Sequence, residues 1–156
     1  MRHCYAGNPS RDPVIERNRP LTPEGKATAL AMANAMRAAG EVPKYIFVSP
    51  FIRAQMTADI VGKALGVQVN VIGDLSPVRP LENTIADLIS SDNLKRVCLI
   101  GHVDNTTPAM NSFDGPGWDK LVMGEVRRVK ISRDDCSWSM KFTLKPSDIG
   151  CKDYKS

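Results

Sequence analysis

Tyr45-Ile46-Phe47-Val48-Ser49-Pro50-Phe51-Ile52-Arg53 is the stretch that decides the fold. Its four leading apolar residues are too few for a core helix and suit a strand buried on both faces. Ser49-Pro50 then signals a helix start, a capping side chain followed by a residue whose missing N–H would be unpaired there anyway. The helix is predicted to reach Leu65 and to stop at Gly66. A buried strand running straight into a helix is the repeating half of a parallel α/β sheet.

Working outward, Val97-Cys98-Leu99-Ile100 repeats the buried-strand signal and ends in Gly101-His102. Val67, Val69 and Val71 alternate with polar or small residues, which predicts a further strand. Leu81–Ser90 reads as a short amphipathic helix with Ile85, Leu88 and Ile89 inward, after a loop over 73–80. Upstream, Thr22 is a good N-cap and Pro23 suits the first helical position, so a helix is predicted to about Ala39, with Gly40 stopping it. Its expected inner face is Ala27, Leu30, Ala31, Ala35 and Ala38.

Residues 8–20, with Pro9, Pro13 and Pro20, are predicted to be loop, and so are residues 103–119. Gly124–Ser132 and Cys136–Leu144 read as a hairpin joined by Arg133-Asp134-Asp135, and Pro146–Ser156 as a flexible tail. The expectation is one α/β domain over residues 1–156. It has a mostly parallel central sheet flanked by helices on both faces, and a C-terminal antiparallel hairpin.

Composition narrows the function classes. At 156 residues the chain can bury a working core, and 42% hydrophobic with 24% charged residues are ordinary globular values. A net charge of +4 favours anionic ligands only mildly, and the basic residues form no run that would point to nucleic acid. The hairpin's Arg127, Arg128, Lys130, Arg133 and Lys141 read as a solvated face, with a docking surface for an acidic partner as the alternative. Four cysteines (Cys4, Cys98, Cys136, Cys151) show no Cys-x-x-Cys pair, so neither a zinc site nor a redox motif is indicated. With no signal region and no window of membrane-span length, a cytoplasmic location with reduced thiols is the expectation.

In open α/β sheets, ligands bind beyond the carboxyl ends of the strands. Arg53 and His102 both fall there, and Arg53 lies in a helix first turn whose N–H groups also face an anion. His3, beside Arg2, is the other of only two histidines. A guanidinium, an imidazole and a helix N-terminus aimed at one place describe a phosphoryl pocket. A purely structural reading is that a histidine after a buried strand is core, and that Arg19 and Arg79 are solvated loop residues.

Arg2-His3, then Arg19-Pro20-Leu21-Thr22-Pro23-Glu24-Gly25, then Ser49-Pro50-Phe51-Ile52-Arg53-Ala54, then Gly101-His102, together resemble the histidine phosphatase superfamily, the phosphoglycerate-mutase-like fold. Within it the likeness is to the small SixA-type phosphohistidine phosphatases. The resemblance implies that His3 attacks phosphorus and becomes a transient phosphohistidine. It implies that Arg2, Arg53 and His102 bind the phosphoryl oxygens, with Arg19 as a further contact. It calls for no metal or other cofactor. It implies a phosphorylated protein or a small phosphorylated molecule as partner, inorganic phosphate as product, and neither nucleic acid nor membrane. A small-metabolite phosphomonoesterase and an inactive phosphate-binding module remain as alternatives.

Two neighbouring cations should keep the His3 imidazole neutral and nucleophilic against a reference pKa of about 6.5. The rate should then fall as pH drops below that of the nucleophile, and a profile flat from pH 5 to 8 would count against His3. The family's general acid has no obvious counterpart in the loop at 73–80; Asp74, Glu82 and Asp104 are outside candidates. Cys4 stands where the family usually has glycine, and a reactive thiolate there is a minor alternative. Only Met1 precedes Arg2, so the chain is expected to lack the first sheet strand, either truncated or with another segment in its place.

Overall fold

The strand predicted from Tyr45-Ile46-Phe47-Val48 is the centre of the sheet. In a computed structural model that describes residues 1–77, 79–91, 94–114, 119–132 and 137–155, β1 (Tyr45–Val48) pairs in parallel with β2 (Val69–Val71) on one side and β3 (Val97–Ile100) on the other. Alternate residues face opposite ways, as strand geometry demands. Ile46, Val48, Cys98 and Ile100 pack with Met32 and Met36 in the main core, alongside Ala54, Ala58 and Val61. Phe47 and Leu99 point to a second cluster of Leu75, Leu81, Ile85 and Ala109.

The helices on these faces follow from that division. Helix α2 (Pro23–Ala38) and α3 (Ile52–Leu65) cover the first face; α4 (Glu82–Ser90) and α5 (Val103–Asp114) supply residues to the second. β4 (Val126–Ile131) and β5 (Trp138–Leu144) form the predicted antiparallel hairpin, with its connection at 133–136 outside the described residues. Its Arg127 and Arg128 pair with Glu125 and Glu41 at 2.6 and 2.7 Å, respectively. No helix among the described residues is long and apolar enough to cross a membrane.

Several expectations need correction. Residues 8–20 are not all loop: α1 spans Pro13–Asn18, because Asp12 accepts hydrogen bonds from the N–H groups of Val14 and Ile15 and Pro13 stands at the helix start. The prolines mark an entry as well as a break. Residues 103–119 are likewise not loop as far as Asp114; α5 runs there despite Pro108, and 115–118 lie outside the described residues. The sparse apolar residues of this helix hid its period.

The inner face of α2 is Gly25, Thr28, Ala29, Met32, Ala33 and Met36, not the predicted alanine stripe, and Leu30 is 49% exposed. The two methionines fill more of the core than alanine can. Ile85 is buried as predicted and Leu88 half-buried, while the side chain of Ile89 falls outside the description. The segment expected to hang as a tail packs back: Pro146 is buried, Tyr154 stacks on Tyr5 at 3.8 Å, and its carbonyl accepts the Met123 N–H at 2.9 Å. Ser156 is outside the described residues.

Residues 1–4 lie between the parallel sheet and the hairpin. The terminal amine of Met1 donates to Leu99 O at 2.8 Å, Gly101 N–H to Met1 O at 3.2 Å and His3 N–H to Gly101 O at 3.0 Å. On the other side Arg2 N–H donates to Glu125 O at 3.0 Å, and Gly124 N–H to Arg2 O at 3.2 Å. Residues 1–3 thus bridge Leu99 and Gly101 on one side to Gly124 and Glu125 on the other. Beyond Met1 a cleft of about 750 Å³ opens between β3 and β4, its walls including Val97, Leu99, Val126, Val129 and Phe142.

Candidate active site

His3 follows the bridge to Gly101 and is 4% exposed. Its Nδ1 lies 2.8 Å from Cys4 O, and a carbonyl can only accept, so Nδ1 carries the proton. Nε2 therefore keeps its lone pair, which accepts from Arg53 Nε at 3.1 Å. The His3 and His102 rings are 5.1 Å apart, centre to centre.

Arg53 sits in the first turn of α3, where the helix dipole disfavours a cation. Its other bonds explain why it stays. Nη1 donates to Glu16 O at 2.7 Å, Nη2 lies 3.2 Å from the Glu16 carboxylate, and the guanidinium carbon is 4.9 Å from the centre of the Phe51 ring. One turn on, Thr57 donates to Arg53 O at 2.8 Å and accepts from Cys4 N–H at 3.1 Å. That hydroxyl ties α3 to the segment carrying His3.

Ser49 does not cap α3 as expected; the N-cap is Phe51, with no side-chain hydrogen bond. The Ser49 hydroxyl instead meets His102 Nε2 at 2.8 Å. Arg53 Nη2 lies 3.4 Å from His102 Nδ1, and a guanidinium has only donors, so Nδ1 accepts and Nε2–H donates to Ser49. His102 is 2% exposed.

Arg2 is 3% exposed; Nη1 donates to Leu121 O at 2.6 Å, while Nε has no hydrogen-bond partner. A buried, unpaired N–H on a cation is costly unless an anion meets it. Arg19 turns elsewhere. It donates to Glu16 through Nε and Nη2 at 2.9 and 2.7 Å, and from Nη1 to Ala6 O and Gly7 O at 2.9 Å each. Its direct bonds hold the loop after His3.

Burial dominates the electrostatics. The pKa of His3 is pushed well below 6.5, first by burial, then by His102, Arg53 and Arg2, with the bond to Cys4 O opposing. His102 is lowered to about 3 by burial and then by Arg53 and Arg2. Arg53 falls to about 10 because burial outweighs the nearby Glu16, and Arg2 is also lowered by burial against the pull of Asp104 and Glu125. The cations act as expected, but after burial, and at His3 after His102 as well. Burial also pushes the Cys4 thiol up to about 12, which makes it a poor thiolate.

Of the predicted site residues, His3, His102 and Arg53 meet directly, and Arg2 lies close enough to depress both imidazoles. Arg19 reaches them only through charge and Glu16. Sequence reasoning missed Glu16, whose signal was the Asp12-Pro13 helix start, and it misassigned Ser49. Asp74 and Arg79 pair with each other at 3.4 Å on the surface, about two-thirds exposed. Asp104, in the first turn of α5, raises the pKa of both Arg2 and Arg53. Among the described residues no group of three or more His, Cys, Asp and Glu could hold a metal ion.

Comparison with known proteins places the chain in a family and a fold. Residues 1–78 match the model of the histidine phosphatase superfamily (branch 1). The structure of the protein histidine phosphatase SixA with tungstate is 22% identical, with a TM-score of 0.81 over 95% of this chain and 96% of that one. SixA of Agrobacterium tumefaciens is 18% identical, with a TM-score of 0.76 over 93% and 94% of the two chains. Mycobacterial glucosyl-3-phosphoglycerate phosphatase is 14% identical, with a TM-score of 0.70 over 90% and 94%. No curated sequence matches closely enough to count as a relative.

Proposed function

This chain belongs to the histidine phosphatase superfamily, and from that premise we propose that it removes phosphoryl groups from phosphohistidine on proteins, by way of a covalent intermediate on His3. The carrying observation is the convergence of His3 Nε2, Arg53 Nε at 3.1 Å and the His102 ring at 5.1 Å in one buried place.

In this reading Nε2 of His3 attacks phosphorus in line while the bond from phosphorus to the substrate's imidazole nitrogen breaks. Arg53 shifts its Nε–H from the imidazole to a phosphoryl oxygen, which exposes the lone pair as the charge is neutralised. The orphaned Nε–H of Arg2 takes a second oxygen. Water then attacks the phosphoryl group on His3, releasing inorganic phosphate and restoring the neutral ring. Positive charge for both steps comes from the two guanidiniums.

The phosphohistidine substrate is favoured by its leaving group. An imidazole can depart already protonated, so it needs less acid help than an alkoxide. The loop over 73–80 supplies Asp74 tied to Arg79 at the surface, which agrees with a reaction that makes little demand there. The likeness to SixA, described as a protein histidine phosphatase, supports the same choice. The likeness to a glucosyl-3-phosphoglycerate phosphatase keeps a small phosphate ester as the second reading.

Brief exposure to radiolabelled phosphoramidate tests the intermediate. The protein should take up acid-labile, base-stable label, and His3→Ala should take up none. Label that persists in His3→Ala, or phosphate binding without label, overturns the mechanism.

A further inference from the structure

Helix α1 carries two large apolar side chains that the fold does not use. Val14 is 69% and Ile15 59% exposed, the highest values among the exposed large hydrophobic residues that the structure describes, and none of the six residues of α1 is buried. The other such residues, Leu30, Val71 and Met140, lie singly on three different elements. An adjacent apolar pair on a surface helix has no packing reason to be there.

Its position is informative. The next residue, Glu16, lends its main-chain oxygen to Arg53 at 2.7 Å and its carboxylate at 3.2 Å. The apolar pair is thus on the same short helix that braces the guanidinium beside His3. Arg11 and Arg17, both exposed, flank it. Apolar contact area with cations on both sides suits a partner surface that is apolar at its centre and acidic around it.

We propose that α1 is the docking element for the protein that bears the phosphohistidine. Val14 and Ile15 seat on an apolar patch beside the phosphorylated side chain, and Arg11 and Arg17 meet carboxylates around that patch. The inference rests on the phosphohistidine reading above and names how such a protein is told from a small molecule. A phosphorylated side chain that reaches His3 brings its own protein surface with it, and α1, bonded to Arg53 through Glu16, is a neighbouring element with exposed apolar side chains to meet it. A free small phosphate compound brings no such surface.

The test compares two substrates: an acidic protein phosphorylated on histidine with phosphoramidate, and free phosphohistidine. Val14→Ser/Ile15→Ser should lower kcat/KM for the phosphoprotein at least tenfold, chiefly through KM, and leave free phosphohistidine within twofold. Arg11→Glu/Arg17→Glu should reproduce the selective loss and remove most of its salt dependence. Since α1 buries none of its residues, unchanged circular dichroism is expected and separates docking from folding. Equal losses on both substrates, or none on the phosphoprotein, overturn the docking role. Wild-type protein that turns over neither substrate overturns the phosphohistidine reading itself, and docking with it.

Discussion

Nε of Arg53 and Nε2 of His3 lie 3.1 Å apart, and this contact fixes both the tautomer and the charge of the imidazole. An N–H can aim only at a nitrogen that holds a lone pair, so the ring is neutral with its proton on Nδ1. Burial, His102 and the two guanidiniums keep it so to well below the usual range.

The acid limb of the pH profile should therefore lie below the reference range. With the His3 pKa lowered well below 6.5, the single-turnover rate of label uptake should hold through neutral pH and past 6.5, and drop only in more acid solution. Arg53→Met should move that acid limb upward without restoring the reference value, because burial is the first cause. A limb near pH 6.5 in the wild type would contradict the burial of His3.

Stability should show the same shift from the other side. Both histidines have folded-state values below their unfolded ones, so the unfolded chain binds more protons in acid. Their contribution is complete above about pH 6.5 and is lost as pH falls toward the folded value, about 3 for His102. The expected loss is roughly 1–1.5 kcal/mol per pH unit for each histidine at most. Denaturant melts between pH 7 and 4 should show it, and His102→Asn should flatten the slope.

His102 presents an acceptor, Nδ1, toward Arg53, because Ser49 holds its other nitrogen as a donor. A phosphate dianion needs donors, so binding should bring a proton onto Nδ1 or carry one in as monoanion. Calorimetry of phosphate binding at pH 7.5 in buffers of different ionisation enthalpy should report net proton uptake. Ser49→Ala should weaken that coupling and cost roughly 1 kcal/mol of stability through the lost hydrogen bond. Binding enthalpy independent of buffer would refute the assignment.

Gly25→Ala tests how closely α2 must approach the loop after His3. A Cβ there would lie 2.0 Å from Tyr5 O, a main-chain atom that cannot swing aside. The helix must shift, at roughly 1–3 kcal/mol or more. Thermal melts should fall by several degrees, and activity should fall with them because residues 3–5 are displaced.

What could be read from the chain followed the strength of the local signal. β1 and β3 were legible because four consecutive apolar residues buried on two faces leave few alternatives, and the strand ends then located Arg53 and His102. α5 was not, since its charged and polar residues and Pro108 show no period; its helix depends on tertiary contacts such as Ala109 in the second core. α1 was obscured by reading Pro13 as a breaker when it follows a capping Asp12. Glu16 could not have been found as a partner of Arg53 across 37 residues of sequence. Arg19 illustrates the limit of spacing: the residue is in place, but its fork closes on Glu16 and two carbonyls.

The short bridge at residues 1–3 has a mechanical consequence. It is stitched to Leu99 and Gly101 on one flank and to Gly124 and Glu125 on the other, so the His3 ring, the proposed nucleophile, hangs from a seam between the parallel sheet and the segment leading into the hairpin. Any rocking of the hairpin against the parallel layer must pull on this seam, and the ångström-scale alignment that in-line transfer demands would degrade first. Tightening that joint should quicken the chemistry as well as raise the melting point.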